Sequence, residues 1–159
     1  MTAVIFGSTT GNTEAAAGLI AKAAGEADVF SISGCSAEKL NRYDTLIFGT
    51  STWGIGDLQD DWEENLSILS DVDFSGKTVA IFGLGDQEGY PDSFVDGMTP
   101  LKAAVEEAGG TVKGAWPTEG YEFDSSTAVE GDRFIGLALD EDNQSDLTES
   151  RIKDWLADL

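Results

Sequence analysis

Hydroxyl, glycine and amide residues follow the first apolar run of the chain, and their types could bind a phosphate. The polar segment consists of Ser8, Thr9, Thr10, Gly11, Asn12 and Thr13, and an Ala-rich segment begins at Glu14. If the apolar run is a buried strand and the Ala-rich segment a helix, this loop opens onto a helix N-terminus. The first N–H groups of a helix lack partners, and its dipole is positive there. The loop therefore predicts an anion site, and a Ser/Thr-rich turn that only caps the helix is the alternative.

The spacing of glycine and lysine excludes two other phosphate-binding loops. A P-loop requires Gly-Lys-Ser/Thr after its first glycine, but the first lysine here is Lys22. A dinucleotide fingerprint requires three glycines, and only Gly7 and Gly11 are present. A loop with neutral donors alone suits a permanently bound monophosphate better than a triphosphate that is cleaved with magnesium.

Two later loops each place one large aromatic residue among small residues. The second loop holds Thr50, Ser51, Thr52, Trp53, Gly54, Ile55, Gly56 and Asp57, and the third holds Leu84, Gly85, Asp86 and Tyr90. A single loop aromatic is usually a surface packing residue. Two aromatic residues aimed at one cleft indicate a flat ligand held between rings, each stacking pair adding roughly 0.5–1.5 kcal/mol beyond burial. A flat ring on a phosphorylated chain matches flavin mononucleotide (FMN).

Charge and residue types exclude several classes of function. The 159 residues include 30 acidic and 9 basic ones, giving a net charge of −21. This charge disfavours nucleic acids and anionic membranes and indicates a partner with a basic face, although it is also compatible with acidity that only maintains solubility. The chain has no histidine and one cysteine, Cys35, which excludes Ser-His and Cys-His pairs, histidine metal sites and an internal disulfide. Without a long apolar run or a leader-like N-terminus, we expect a cytoplasmic protein with no membrane insertion.

Strands and helices alternate along the chain. Apolar runs predict strands at 3–7, 28–32, 45–49, 77–83 and 111–116, with a long loop at 50–58. Helices are predicted at 13–25, 60–69 and 93–108 and from Ser145 or Asp146 onward, with Leu19 and Leu147 on buried faces, and 36–42 is either a short helix or a turn. The run 134–139 is either a sixth strand or the rest of the fifth strand after an insertion at 117–133.

Strands that are apolar on both faces predict a doubly wound parallel α/β sheet, here in a single domain over 1–159. Ligands bind such sheets outside the carboxyl ends of the strands. Three strands end in Phe-Gly, at Gly7, Gly49 and Gly83, and each opens into one of the three polar loops. We therefore expect the three loops to form one site.

Four segments in chain order, 8–14, 52–59, 85–90 and 136–144, resemble the motifs of the flavodoxin family. The interrupted fifth strand, with the segment 116–121 at its insertion, resembles that of the long-chain bacterial subgroup. The resemblance covers nearly the whole chain. It implies a three-layer, five-stranded parallel sheet in the order 2-1-3-4-5, with the fifth strand interrupted by a loop insertion.

The resemblance implies non-covalent FMN in a low-potential one-electron carrier that shuttles between semiquinone and hydroquinone, without substrate turnover of its own. It assigns 8–13 to the phosphate, Trp53 and Tyr90 to the two flavin faces, Asp86 and the Gly85 backbone to the pyrimidine edge, and the backbone of Gly54 and Ile55 to flavin N5. The implied partners are a ferredoxin/flavodoxin–NADP reductase, a pyruvate oxidoreductase, photosystem I or nitrogenase, and we expect a monomer.

Two properties of these loops predict redox behaviour. Gly54 accepts positive φ, so its peptide is expected to turn toward N5–H when the semiquinone forms. The three loops contain no basic residue, so addition of the second electron is expected to be unfavourable.

Two other functions share features with this chain. An FMN-dependent NAD(P)H quinone or nitro reductase would need a substrate pocket over the flavin, on the face that Tyr90 is expected to cover. A receiver-type signalling domain would need acidic residues where Gly7-Ser8 and Gly49-Thr50 stand, and is excluded.

Acidic residues near the loops are predicted to surround the flavin edge and dock basic partners, a solvated surface being the alternative: Asp57, Asp60, Asp61, Glu63, Glu64, Asp86 and Glu88. The segment 140–144 has calcium-like carboxylates. However, Ser145 and Arg151 stand where a calcium loop requires glycine and glutamate, so no metal is expected. We predict a turn there, with Ser145 or Asp146 as the N-cap of the last helix.

Overall fold

A computed structural model describes residues 1–8, 11–53 and 57–159. Its strands are β1 (Thr2–Phe6), β2 (Asp28–Ser31), β3 (Thr45–Trp53), β4 (Asp57–Leu58), β5 (Thr78–Leu84), β6 (Val112–Lys113), β7 (Trp116–Pro117), β8 (Val129–Glu130), β9 (Arg133–Phe134) and β10 (Leu137–Leu139). Its α-helices are α1 (Asn12–Ala23), α2 (Ala37–Leu40), α3 (Asp60–Asn65), α4 (Met98–Glu107) and α5 (Thr148–Ala157), and 3₁₀ helices span Leu66–Asp71 and Ser145–Leu147.

The central sheet is parallel, in the order β10-β5-β3-β1-β2. Ile5 of β1 lies beside Phe48 of β3, which lies beside Ile81 of β5. Both β6 and β10 pair in parallel with β5, β6 along Val79–Ala80 and β10 along Phe82–Leu84. They are the two parts of one interrupted fifth strand, so the predicted order and the predicted interruption are confirmed.

Alternate strand residues face two separate apolar layers, as the period of two in a strand requires. Ile5, Phe48 and Ile81 belong to one layer, which includes Trp62 of α3 and Met98, Leu101 and Val105 of α4. Val4, Ile47 and Phe82 belong to the other layer, which includes Ala16 and Ile20 of α1 and Ile152 and Trp155 of α5. Helices thus cover both faces of the sheet, which confirms the three-layer doubly wound fold.

The segment 117–133 contains more regular structure than its polar sequence predicts. Strands β7, β9 and β8 form a small antiparallel sheet, in which Trp116 and Val129 both pair with Phe134. Tyr121 and Phe123 pack against Phe134 and Phe94, with ring centroids 5.1–5.7 Å apart. Aromatic residues spaced among polar ones organise this insertion, and they leave no strand-length apolar run in the sequence.

Several predicted boundaries were wrong. Strand β3 continues past Gly49 because its pairing with β5 extends to Ser51 and Leu84, and β4 then pairs antiparallel with its end, so 50–58 is not all loop. The helix predicted at 60–69 is α3 followed by a 3₁₀ helix. Helix α4 begins at Met98, not at 93, with Pro100 in its first turn, where proline is tolerated.

The helix ends and faces also differ from the sequence prediction at particular residues. Leu19 and Leu147 are 37% and 38% exposed, so neither belongs to a buried helix face. Ser145 and Asp146 do not cap α5, since they lie in the preceding 3₁₀ turn and the N-cap position is Leu147.

None of the helices within the described segments is long and apolar enough to cross a membrane.

Candidate functional site

A cleft lies at the carboxyl ends of β1, β3 and β5, where the sequence predicts the ligand site. Its lining residues come from all three predicted loops and from two further segments: Asn12, Thr13, Ser51, Thr52, Leu84, Gly85, Asp86, Tyr90, Ser93, Phe94, Glu141 and Asp142. The parallel sheet creates this convergence because each strand delivers its following loop to the same edge.

The first loop places the N-terminus of α1 at the cleft. Gly11 is the N-cap residue at φ 94°, in the left-handed region that glycine adopts without strain. Its N–H donates to Ser8 Oγ over 3.0 Å, and no side chain within the described segments caps the helix. Asn12 and Thr13 line the cleft, while Thr9 and Thr10 lie outside the described residues.

The second loop contributes a buried hydroxyl group without a hydrogen-bond partner in the described segments. Ser51 Oγ is inaccessible to solvent and has no hydrogen-bond partner among the described residues. Its neighbours are already bonded: the buried Thr50 hydroxyl donates to the Ser51 carbonyl over 3.0 Å, and Thr52 Oγ1 accepts from Gly97 N–H at 2.8 Å. Thr50 is not among the lining residues. The side chain of Trp53 and residues 54–56 lie outside the described part of the chain.

The third loop is held in shape by the Asp86 carboxylate. Oδ1 accepts from the backbone N–H of Gly89 at 2.8 Å and of Glu88 at 3.2 Å, and from Asn143 Nδ2 at 2.8 Å. Bonds from Gly89 first, and then from Asn143, lower the pKa of Asp86. The Gly85 N–H donates to the Leu139 carbonyl over 3.0 Å. The Asp86 side chain therefore organises the loop that presents Tyr90, whose side chain is 52% exposed at the cleft.

Four lining residues, Ser93, Phe94, Glu141 and Asp142, were missed as site residues. Ser93 and Phe94 were predicted to begin a helix, but they form a turn before α4 that returns to the cleft. A side chain at Gly85 would bring its Cβ within 2.9 Å of the Phe94 ring, so glycine is required for this packing. Glu141 and Asp142 were assigned to a turn. A signal for Glu141 and Asp142 exists in the sequence, because they follow β10. This strand ends at the same edge of the sheet as β1, β3 and β5, which carry the three predicted loops.

Carboxylates concentrate negative charge beside the third loop. One carboxylate oxygen from each of Asp86, Asp140 and Asp142 lies within 4.8 Å of the other two. Burial, and then the charges of Asp86 and Asp140, raise the pKa of Asp142. The buried Asp140 carboxylate accepts from the backbone N–H and side-chain amide of both Gln87 and Asn143.

The predicted acidic surface is largely exposed. Asp57, Asp60, Glu63, Glu64 and Glu88 are exposed, and Asp61 is half-buried. None of them forms an ion pair within the part of the chain that the structure describes, where ion pairs join Arg42 to Glu38, Lys102 to Glu130 and the N-terminus to Asp44.

Comparison with known proteins agrees with this geometry. A sequence model of the flavodoxin family matches residues 4–155. The chain is 46% identical to a flavodoxin of Synechocystis sp., covering 98% of this chain and 94% of that one. It is 44% identical to flavodoxin 1 of Escherichia coli, covering 98% and 90%.

The chain belongs to the flavodoxin family. A solved structure of Fusobacterium nucleatum flavodoxin bound to flavin mononucleotide superposes with a TM-score of 0.91 at 33% identity, covering 98% of this chain and 94% of that chain. Flavodoxins are electron-transfer flavoproteins, and the family assignment favours an electron carrier over a reductase with its own substrate.

Proposed function

We propose that this chain is a one-electron carrier that binds FMN non-covalently in the cleft at the carboxyl ends of β1, β3 and β5. One observation supports the assignment of the cleft: Ser51 lines it, and its buried hydroxyl has no hydrogen-bond partner among the described residues. A buried hydroxyl without a partner costs about 1–3 kcal/mol, and a polar ligand removes that cost. Bound FMN would supply the redox chemistry by taking up and releasing electrons one at a time.

The loop 8–13 is the proposed phosphate site. The N-terminus of α1 offers backbone N–H groups and the positive end of its dipole, and Gly11 leaves the approach free of a side chain. The hydroxyls of Thr9, Thr10 and Thr13 and the amide of Asn12 would supply neutral donors. These residues would fix one end of the cofactor.

The second and third loops would hold the isoalloxazine ring. We assign the inner face to Trp53 and the outer face to Tyr90, and the N5 edge to the backbone at Gly54, Ile55 and Gly56. The pyrimidine edge would meet Asp86 and the backbone at Gly85, where Asp86 Oδ1 and the Gly85 N–H are already bonded within the protein. Leu84 and Phe94 would exclude water from the cleft, as lining residues.

The partners are redox proteins, and we propose that they dock a basic face on the exposed acidic residues around the cleft. A net charge of −21 would steer basic partners to this protein and repel acidic ones. A ferredoxin/flavodoxin–NADP reductase, a pyruvate oxidoreductase, photosystem I or nitrogenase fits this role. The protein would act as a cytoplasmic monomer, without nucleic-acid partners and without insertion into a membrane.

Titration of the FMN-free protein with FMN and with riboflavin tests this proposal. FMN fluorescence should be quenched at a 1:1 ratio, as the ring stacks between aromatic side chains. Riboflavin lacks the phosphate and should bind at least tenfold more weakly, the effect of about 1.4 kcal/mol. Equal affinities for the two ligands would contradict the phosphate role of 8–13, and no binding of FMN would contradict the proposed function.

A further inference from the structure

Gln87 lies inside the third loop, and its side chain joins that loop to two other parts of the fold. It is only 4% exposed, although it stands between the acidic residues Asp86 and Glu88. Its Nε2 donates to Asp140 Oδ2 over 2.8 Å, and its backbone N–H donates to the same oxygen over 3.0 Å. Its Oε1 accepts from the backbone N–H of Glu122 at 2.6 Å.

The chemistry of these partners requires an amide at position 87. The Asp140 carboxylate accepts hydrogen bonds only, and the Glu122 N–H donates only. A side chain between them must therefore donate at one end and accept at the other. Among side chains of this length, glutamine does so without adding charge to the buried carboxylate.

The network around Gln87 reaches both the cleft and the insertion. Asn143 Nδ2 contacts Asp140 at 2.9 Å and Asp86 at 2.8 Å, so the buried carboxylate is tied to the loop a second time. On the other side, Glu122 belongs to the insertion, in which the Tyr121 hydroxyl donates to the Ala138 carbonyl of β10. Gln87 therefore attaches the insertion to the middle of the loop that presents Asp86 and Tyr90, whereas the N–H groups of Asp124 and Ser125 bond the Pro91 carbonyl at its end.

We infer that Gln87 is a positioning residue for the cofactor site: its amide fixes the loop 84–90 against Asp140 and against the insertion. This inference rests on the proposed function, since the loop is assigned to the flavin. It also gives the insertion 117–133 a role in the site, although none of its residues lines the cleft in the described part of the chain.

Two substitutions of Gln87 test its hydrogen bonds to Asp140 and to the Glu122 N–H separately. Gln87→Leu keeps the approximate size but removes all side-chain hydrogen bonds, and leaves the Glu122 N–H and Asp140 short of a partner. Gln87→Glu keeps an acceptor for Glu122 but places a second carboxylate against Asp140. Ser67→Leu and Ser67→Glu are the matched controls, because Ser67 is exposed on the 3₁₀ helix after α3, outside the cleft lining.

Hydrogen–deuterium exchange of the FMN-free protein measures the positioning directly. In Gln87→Leu, exchange should accelerate at Glu88, Gly89 and Glu122, while the central strands and the far-UV circular dichroism stay as in the wild type. Unchanged protection at these three amides would overturn the inference without reference to FMN. The wild-type protein must bind FMN for the next measurement, and failure there would count against the proposed function instead.

FMN affinity and its pH dependence give the second readout. Gln87→Leu should weaken FMN binding about tenfold, as expected for loss of hydrogen bonds that order a loop. Gln87→Glu should bind weakly at pH 7.5 and regain affinity relative to Ser67→Glu at pH 5.5, because two facing carboxylates share a proton. Asp140, Asp86, Asp142 and the exposed Glu88 and Glu122 surround this position, with Arg151 of α5 as the cation that contacts Gln144 and Gly120 nearby.

Wild-type affinity in both variants, with no difference in pH profile from the controls, would overturn the inference. If Gln87→Leu does not fold, the pH profile of Gln87→Glu decides on its own. A loss of affinity in Gln87→Glu that is the same at pH 5.5 and 7.5 would also contradict the role assigned to the contact with Asp140.

Discussion

At the scale of residues, the cleft includes polar groups already bonded within the protein and one fully buried hydroxyl that has no partner among the described residues. The hydroxyls of Thr50 and Thr52 are hydrogen-bonded to backbone atoms, and the Asp86 carboxylate accepts from a backbone N–H of its own loop. Ser51 is the exception among the described residues, since its buried hydroxyl has no partner. Such a group lowers the stability of the empty protein and favours ligand binding, so the two effects can be measured separately.

Ser51→Ala should therefore change the empty and the loaded protein in opposite directions. The FMN-free variant should be as stable as the wild type or up to about 1–3 kcal/mol more stable in urea, because an unpartnered buried hydroxyl is removed. Its FMN dissociation constant should rise about tenfold, by the loss of one hydrogen bond to the ligand. Ser67→Ala, which removes an exposed hydroxyl, is the control for both measurements. A destabilised FMN-free variant with wild-type affinity would show that Ser51 has a packing role only.

The lowered pKa of Asp86 predicts how the stability of the protein depends on pH in acid. Its pKa is lowered in the folded protein, so its stabilising effect is complete above the pKa of an unfolded aspartate, 3.8, and disappears as the pH falls through the lower folded value. Asp86→Asn should remove this contribution and flatten the acid side of a stability-against-pH curve measured by urea unfolding. An unchanged curve below pH 4 would mean that the bonds from Gly89 and Asn143 contribute little.

At the scale of elements, the insertion and helix α5 are joined by Tyr121. Its hydroxyl accepts from Trp116 Nε1 at 3.0 Å and donates to Ala138, and its ring lies 4.1 Å from the Arg151 guanidinium carbon. Burial raises the pKa of Tyr121 to about 12. The insertion is thus held against β10 and α5 by a neutral phenol within an aromatic cluster.

Tyr121→Phe should keep the ring contacts and lose both hydrogen bonds. Because the Trp116 N–H and the Ala138 carbonyl lose a partner in a partly buried place, we expect a loss of about 1–3 kcal/mol in the free energy of unfolding. Urea titration followed by far-UV circular dichroism measures it, and Tyr90→Phe, at an exposed phenol, is the control for stability of the FMN-free protein. Equal losses in the two variants would contradict the role of the Tyr121 hydroxyl.

Sequence patterns predicted some elements better than others, for physical reasons. Strands buried on both faces, such as β1 and β5, carry continuous apolar runs, and their order follows from the family resemblance. The turn at 93–97 contains Val95 at φ 49°, a conformation that tertiary packing imposes and that no local propensity predicts. The contacts of Gln87 with Asp140 and Glu122 join residues 35–53 positions apart, so no local spacing could indicate them.

The sequence predicted those residues of the candidate site that directly follow a predicted strand. Asn12, Ser51, Thr52, Asp86 and Tyr90 were predicted and lie at the cleft. Phe94 and Glu141 were missed because they reach the cleft from a turn before α4 and from the turn after β10. Whether each predicted residue contacts the cofactor remains a prediction for the measurements above.

At the scale of the whole molecule, acidic charge is the property that a partner meets first. Electron-transfer rates to a basic reductase should fall as salt rises from about 0.01 M to 0.15 M, because screening shortens from about 30 Å to about 8 Å. Glu63→Gln, close to β4, should lower the rate at low salt. Glu107→Gln should not, since it ends α4, at the edge of the sheet away from the cleft. Rates independent of salt, or equal effects of the two substitutions, would contradict docking at the cleft.

A potentiometric titration of the FMN-loaded protein, followed in the visible spectrum, tests the central claim most directly. A carrier of single electrons must keep its two reduction steps apart. The acidic surroundings of the cleft and the absence of basic residues in all three loop sequences should make the second step strongly reducing. We predict two separate one-electron steps, the second well below that of free FMN. A single two-electron step near the potential of free FMN would contradict the proposed function.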